Sequence, residues 1–366
     1  MNRTLKWLAI AVGIAMLATL VSLQWSRVLR GQNDFAALYA GARLVGTPDL
    51  YSRSANEAVI RSALGTTMPS VIYTRPPFYA VLLHPLASLP YPLAYGTYCA
   101  LSLVAVAWFV WRFRRECPSL PYVAAFCFPL ASYIVQGQDT PLLLVFTGLF
   151  IHFTRKHRDF LAGLVFSLCA IKFHLFLLVP LLLLLKQRWR IFGGAASGTV
   201  ALFLVGLAGA GTDSIAQYLN TLCNPWINFS AEMMPSLHGL VATLGAGSTI
   251  ELALTGFVIL AFVWICQKSD DFEFLFAVCL LGSLLVSYHS GIADGLLLLL
   301  GYILISSSST VGKPLKIAWA IQLTPVPYSL GVSVGIPLIL LTLLVWTVAI
   351  LARRTGPMPL RVPLAS

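Results

Sequence analysis

The stretch RKHRDFLAGLVFSLCAIKFHLFLLVPLLLLLKQRWR (155–190) sets two basic clusters around 26 apolar residues that contain one cation, Lys172. About 20 apolar residues suffice for a helix to cross a bilayer. Taken as one helix, residues 160–185 would put RKHRD (155–159) and KQRWR (186–190) on opposite sides. Taken as two short segments meeting near Lys172, they keep both clusters on one side, as the concentration of Lys and Arg in cytoplasmic loops requires. Broken helices at membrane depth are tolerated only where they pack on protein or line a cavity. The broken pair is the preferred reading, and it carries Lys172 to the opposite, external face.

The rest of the chain agrees with a membrane setting. Of 366 residues, 58% are hydrophobic and 10% charged, with mean hydropathy +0.84. A soluble chain carries about 25% charged residues, so a water-facing surface is excluded. The expected fold class is an all-α membrane protein, one polytopic bundle over 1–366 with about 10–12 transmembrane helices. Apolar runs lie at 6–23, 92–111, 120–135, 140–154, 160–171, 173–185, 191–210, 250–267, 272–288, 291–307, 315–328 and 332–351. No clear cleavage site follows the first run, so it reads as an uncleaved span with a cytoplasmic N-terminus; the threading also returns the C-terminus to the cytoplasm. That places the protein in an inner (plasma) membrane as a multi-pass protein.

The net charge of +11 would point to nucleic acid in a soluble protein. Here it follows from topology, and no nucleic-acid partner is expected. Seventeen of the 24 Lys and Arg residues fall in cytoplasmic segments on this threading. The other seven are Arg27, Arg30, Arg43, Arg53, Arg61, Arg75 and Lys172. Six of these lie in the first extracytoplasmic loop, 24–91. A long loop escapes the charge rule; a site for something anionic would also gather arginines there. The seven cysteines show no CxxC spacing, so neither a zinc site nor a disulfide framework is indicated.

The external face then comprises loop 24–91, a second large loop at 211–249, and turns near 136–139, Lys172 and 287–294. In the first loop, FAALYAGARLV (35–45) has helical spacing with Asp34 as its N-cap signal, and SANEAVIRSAL (54–64) reads as a second short amphipathic helix starting at Ser54. Ionisable groups at membrane depth or its edge are costly and therefore functional candidates. Asp34 can act as a general base on an acceptor hydroxyl or serve as a plain cap. Arg75, in YTRPPFYA (73–80), can clamp a phosphate or snorkel beside an aromatic belt. Lys172, in AIKFHLFLL, needs an anionic partner, either a carboxylate or a bound phosphate. His174 beside it reads as a packed neutral imidazole. His289 and Asp294 flank a turn in SYHSGIADGLLLLL (287–300) and can reach one cavity, with Asp294 alternatively a helix cap. In QGQDTPLLL (136–144), Gln136, Gln138 and Asp139 can meet sugar hydroxyls or simply make the turn. His238, in SLHGL (236–240), is uninformative alone.

Taken in order, Asp34-Phe35 with Tyr39 and Arg43 following, PDLY (48–51), YTRPPFYAVLLHPLASLPY (73–91), GQDTPLLLVFTGLF (137–150), LAGLVFSLCAIKFHLFLLVPLLLL (161–184), SLHGL and YHSGIADGLLLL (288–299) form a familiar series. The chain resembles glycosyltransferase family 87 over roughly residues 30–305. That resemblance implies a GT-C fold and transfer of a hexose, mannose above all, from a polyprenyl-phosphate-linked donor to a lipid-linked or envelope glycan acceptor at the extracytoplasmic membrane face. It implies no metal and no other cofactor. It assigns Asp34 as catalytic base and Lys172, His289 and Arg75 to the donor phosphate; Arg43, Tyr39, Gln138 and Asp294 are the remaining candidates for binding substrate or for support. Two positions depart from the family pattern: Asp139 stands where Asn or a similar residue is expected, and Phe173-His174 follows Lys172 where a proline is common. The rival classes are a multi-span transporter or lipid flippase, opposed by the lack of an internal repeat between halves, and a glycan polymerase or ligase, whose large loop usually comes late in the chain.

Overall fold

A computed structural model describes residues 3–65, 72–224 and 230–354, and among them every regular element is helical. In chain order these are α1 (Arg3–Leu23), α2 (Trp25–Leu29), α3 (Phe35–Leu44), α4 (Arg53–Leu64), α5 (Pro77–Leu83), α6 (Tyr91–Phe113), α7 (Leu120–Ala125), α8 (Phe128–Gln136), α9 (Thr140–Arg155) and α10 (Asp159–Ser167). They continue as α11 (Val179–Leu185), α12 (Trp189–Ala210), α13 (Asp213–Leu222), α14 (Leu237–Thr243), α15 (Ser248–Lys268), α16 (Phe272–Val286), α17 (Leu298–Ser307), α18 (Lys313–Ile321) and α19 (Val332–Arg354). Among the described residues, five helices are long and apolar enough to cross a membrane: Tyr91–Phe113, Asp159–Phe176, Trp189–Ala210, Ser248–Lys268 and Val332–Arg353. Shorter apolar helices occupy Trp7–Leu23, Thr140–Arg155, Phe272–Val286 and Ile292–Ser307. The chain is thus an all-α polytopic membrane protein. The runs at 120–135, 173–185 and 315–328 are built from short helices instead of full spans. Arg361, counted above with the cytoplasmic cations, lies outside the described residues.

The segment 155–190 folds back on itself. After α10, a 3₁₀ stretch over Leu168–Phe176 leaves helical geometry at Lys172 (φ −134°, ψ 62°), and the chain returns through α11, with Pro180 in its first turn. Arg188 and Asp159, one from each basic cluster, approach to 3.7 Å. Both clusters therefore lie at the same end of the bundle, as the broken pair requires. The kink thus falls at Lys172, where the sequence reading has the two short segments meet. α12 then runs alongside α10 through small residues. A Cβ on Gly163 would lie 2.0 Å from the Ile191 carbonyl oxygen, and one on Gly194 would lie 2.1 Å from that of Phe160. Apolar side chains gain little by leaving lipid for protein, so such close backbone approach is what binds membrane helices together.

The two ends of the bundle differ chemically. At one end Arg155 makes a fork to Glu273, with Nε and Nη2 each 2.6 Å from a carboxylate oxygen, and it also bonds Glu116. Arg112 pairs with Glu116 at 2.9 Å and Lys186 with Asp270 at 2.7 Å. α9 climbs from there over 16 residues, about 24 Å at 1.5 Å per residue, to the turn at 137–139. That second end holds the start of α3, the chain before α5, Lys172 and the turn before α17.

The first loop folds onto this end. α3 and α4 form where expected, but their caps differ from the sequence reading. The oxygen capping α3 belongs to Asn33, which accepts from the Ala36 amide at 3.2 Å, while the Asp34 side chain makes no capping bond. α4 begins at Arg53 and is capped by Ser52 instead of Ser54. Gly41 lets Tyr73 lie across α3, since a Cβ there would be 2.2 Å from the tyrosine ring. Phe35 packs among Tyr39, Tyr91, Tyr95 and Tyr98, with ring centroids 5.1–6.3 Å away.

Candidate active site

Released from capping, the Asp34 carboxylate accepts a hydrogen bond from Nε2 of Gln138. Gln138 sits in the turn between α8 and α9, after Gly137 (φ +62°) has reversed the chain. Its Oε1 accepts from Lys172 Nζ at 2.8 Å, and its Nε2 also reaches Gln136 Oε1 at 3.1 Å. Lys172 donates to Asp294 Oδ1 at 2.7 Å and lies 3.0 Å from Asp139 Oδ1. Asp139 Oδ2 in turn accepts from Arg75 Nε at 2.7 Å. Asp294 also accepts from Thr140 Oγ1 at 2.8 Å and caps its own turn by accepting from the Gly291 amide at 2.8 Å. One continuous network therefore joins five separate stretches of chain.

The position of each member has a local cause. Arg75 is fixed by its neighbours: Tyr51 donates to the Arg75 carbonyl at 2.7 Å, and Tyr73 donates to that of Pro76 at 3.0 Å. The fully buried Asn56 accepts from the Tyr73 amide at 3.1 Å and donates to the carbonyls of Leu50 and Ser52. Pro76 and Pro77 then open α5 without any amide to satisfy. Arg75 also bonds Thr74 through Nη1 at 3.3 Å, leaving Nη2 without a hydrogen-bond partner among the described residues. Lys172 reaches the network because the kink places it beside the N-terminus of α9. His289 follows α16 in the turn to Asp294, its ring 5.9 Å from that of His174 in a T-shaped arrangement. Nε2 of His174 is buried without a partner among the described residues.

Burial raises the Asp34 carboxyl above its ordinary value, with Gln138, Lys172 and Arg75 opposing the rise. Burial likewise opposes ionisation of Asp139, yet Arg75 and Lys172 together outweigh it and hold that carboxyl low. His289 is pushed down to about 4 by burial and then by the field of Arg75. It is therefore a neutral imidazole near pH 7, a donor of one hydrogen bond without a charge. The arrangement offers a carboxylate poised to take a proton beside an arginine and a histidine able to meet an anion. Among the described residues no three His, Cys, Asp or Glu side chains are placed to hold a metal ion.

Asp34, Arg75, Gln138, Lys172, His289 and Asp294 thus come together, as the sequence reading expects. Tyr39 and Arg43 belong to a different arrangement. The Tyr39 hydroxyl donates to the Leu89 carbonyl at 2.9 Å, and Arg43 is exposed, its Nε 3.2 Å from that hydroxyl. The sequence reading leaves Asp139 as equally well a turn residue and passes over Thr140 and Asn56. Asn56 carried a usable signal: it lies four residues before Ile60, on the buried face of α4. His238 packs on Tyr288 with centroids 4.1 Å apart and pairs with Glu251 at 3.0 Å.

No curated protein and no solved structure matches the chain. The model of glycosyltransferase family 87 does, over residues 73–287. That segment carries Arg75, Gln138, Asp139 and Lys172; Asp34 precedes it, and His289 and Asp294 follow. Since the match spans well over half of the 366 residues, the chain belongs to glycosyltransferase family 87.

Proposed function

We propose that this glycosyltransferase moves a hexose, mannose in the first instance, from a polyprenyl-phosphate donor to a lipid-linked or envelope glycan acceptor at the extracytoplasmic face, with Asp34 as general base. The observation that carries the reading is the convergence of a half-buried carboxylate of raised pKa with Arg75 and His289 at the end of the bundle opposite the Arg- and Lys-rich end. By the charge rule that basic end is cytoplasmic, so the site faces outward.

Asp34 takes the proton of the acceptor hydroxyl as its oxygen attacks the anomeric carbon. The bond from that carbon to the phosphate oxygen breaks, its electron pair stays on the phosphate, and polyprenyl phosphate leaves with one more negative charge. Donors aimed at that developing charge lower the barrier selectively. Arg75 offers its Nη2 edge and neutral His289 one N–H. Lys172, held by two carboxylates and an amide, adds to the positive field without touching the donor. A site at the membrane edge also lets a prenyl chain remain in lipid while its phosphate reaches protein.

The test is sugar transfer by purified protein in nanodiscs, from polyprenyl-phosphate-mannose to a membrane lipid extract, in wild type and Asp34→Asn. Transfer lost in an Asp34→Asn protein that still elutes as a folded species supports the reading. Transfer that survives the substitution removes Asp34 as the base, and a wild-type protein inert with every polyprenyl-phosphate sugar overturns the donor class.

A further inference from the structure

We infer that Gln138 is a positioning residue for the transfer: its amide, locked in one orientation by Lys172, holds the Asp34 carboxylate in place and in its proton-accepting form. This inference rests on the reading of Asp34 as base and assigns a role to a residue that does no chemistry itself.

The lock follows from the donor and acceptor inventory. An ammonium has only hydrogens to offer, so Lys172 Nζ at 2.8 Å must face the carbonyl oxygen of the Gln138 amide. The NH₂ group then has to point the other way, where its two hydrogens meet Asp34 and Gln136 Oε1. Flipping the amide would set its carbonyl against the Asp34 carboxylate and its NH₂ against the ammonium, two repulsive contacts in place of two attractive ones. Lys172 cannot turn to allow this, because Asp294 and Asp139 hold it from other sides. Gln138 is itself 6% exposed, so water cannot readily replace either contact.

The charged groups around Asp34 explain why a neutral amide decides its state. Arg75 faces it from the chain before α5, Lys172 from the kink, and Asp139 from the α8–α9 turn. Both cations favour ionisation, but each is already committed to Asp139, and Lys172 to Asp294 as well. Asp139 and burial oppose ionisation. Among the groups that favour ionisation the Gln138 hydrogen bond outranks either cation, and among the described residues it is the one contact made directly to the Asp34 carboxylate. A donor bonded to the charged form lowers a carboxyl pKa, so removing it must raise that of Asp34.

The experiment reads Asp34 directly. A hydrophobic carbodiimide attacks protonated carboxyls, so modification of Asp34 against pH, followed by mass spectrometry of full-length protein in nanodiscs, reports its titration without any substrate. Gln138→Met keeps the side-chain length without the amide, and Gln138→Asn keeps an amide one methylene too short to span both partners. Each is expected to move the midpoint for Asp34 upward by about one pH unit, a tenfold change in the protonated fraction. The acid limb of sugar transfer from polyprenyl-phosphate-mannose moves with it. Gln138→Glu, which sets a second carboxylate against Asp34, moves it further. An unchanged midpoint in the first two variants overturns the inference and leaves Asp34 as base untouched. A raised KM with an unmoved midpoint also overturns it, by making Gln138 a substrate contact. Transfer that survives Asp34→Asn instead sinks the underlying base assignment, whatever the modification profile shows.

Discussion

Gly137 offers a way to move Asp34, the proposed base, without altering any group proposed to touch substrate. It ends α8 at φ +62°, ψ 42°, with its amide donating to the Tyr133 carbonyl at 2.7 Å. A Cβ placed there would lie 2.7 Å from the Cβ of Phe35 and 3.0 Å from the Tyr95 ring. Ordinary contact begins near 3.4 Å, so one partner must retreat by about 0.7 Å. Phe35 cannot yield by rotating, because the contact is with its Cβ and its ring is wedged among four tyrosines. The retreat is therefore taken up by the backbone at the start of α3, one residue from Asp34.

Two costs can then be separated with a second glycine. The left-handed backbone costs an alanine about 1–2 kcal/mol, and the clash adds about 1–3 kcal/mol of overpacking. Gly65 has nearly the same φ, +67°, but nothing within 4 Å of its virtual Cβ, so Gly65→Ala carries the first cost alone. A displacement near 1 Å at a reacting group costs about 100-fold in rate. Gly137→Ala is accordingly expected to lose about 10- to 100-fold in kcat, measured per folded molecule, and to unfold at a lower temperature than Gly65→Ala. Gly65→Ala is expected to keep its kcat. Intrinsic fluorescence melts in nanodiscs and sugar-transfer kinetics on the same samples supply both numbers. Equal behaviour of the two variants in both assays would refute the argument that Gly137 sets the position of Asp34.

Asn56→Ala removes three hydrogen bonds inside a fully buried site. Each orphaned backbone group costs about 1–3 kcal/mol, so a clear drop in melting temperature is expected, with weakened transfer because Tyr73 no longer holds Arg75. Gly194→Val is expected to abolish the folded peak in size exclusion, since its Cβ would sit 2.1 Å from the Phe160 carbonyl, while Gly193→Val, with nothing within 4 Å, folds normally. The pH dependence has a definite sign: the proposed base, Asp34, works ionised and burial raises its pKa, so kcat/KM is expected to fall on the acid side at a pH above the ordinary aspartate value. His289, held down at about 4, is neutral near pH 7 and adds no step on the neutral side of that limb. An acid limb centred at the unperturbed aspartate value would contradict the burial of Asp34.

Much of this was legible because a bilayer constrains a chain so strongly. Long apolar runs bounded by Lys and Arg leave few threadings, and the threading alone puts Asp34, Arg75, Gln138, Lys172, His289 and Asp294 at one face. The break at Lys172 could be read because two basic clusters flank a single apolar stretch too long for one short helix and too short for two full ones. What could not be read is which partner each group takes. Asn33 and Asp34 are equally good caps by residue type, and only Gln138, more than a hundred residues away, draws Asp34 out of that role. Ser52 and Ser54 present the same local ambiguity, decided by where Asn56 anchors the loop. Tyr39 and Arg43 enter the sequence reading with the family resemblance, as members of the helix that follows Asp34. Five residues on an α-helix is about one and a half turns, enough to carry Tyr39 away to the Leu89 carbonyl.

The partners of Lys172 change what the site's charge can be used for. Read from sequence, Lys172 needs either a carboxylate or a phosphate, and the family resemblance sets it with Arg75 and His289 at the donor phosphate. In the folded chain two carboxylates, Asp139 and Asp294, are already set against Lys172 and Arg75, and His289 is neutral. With those four charges balanced, ionised Asp34 leaves the cluster with one negative charge before any donor arrives. If the donor is the proposed polyprenyl phosphate, attraction of net charge is therefore not what selects it. In the proposed transfer the donors are Arg75 Nη2 and His289, and directed donors favour the phosphate oxygen most when its charge is largest, as the glycosidic bond breaks. On that proposal a compensated cluster is expected to bind the ground state of the donor modestly and its leaving group more strongly. That difference is the one that lowers a barrier.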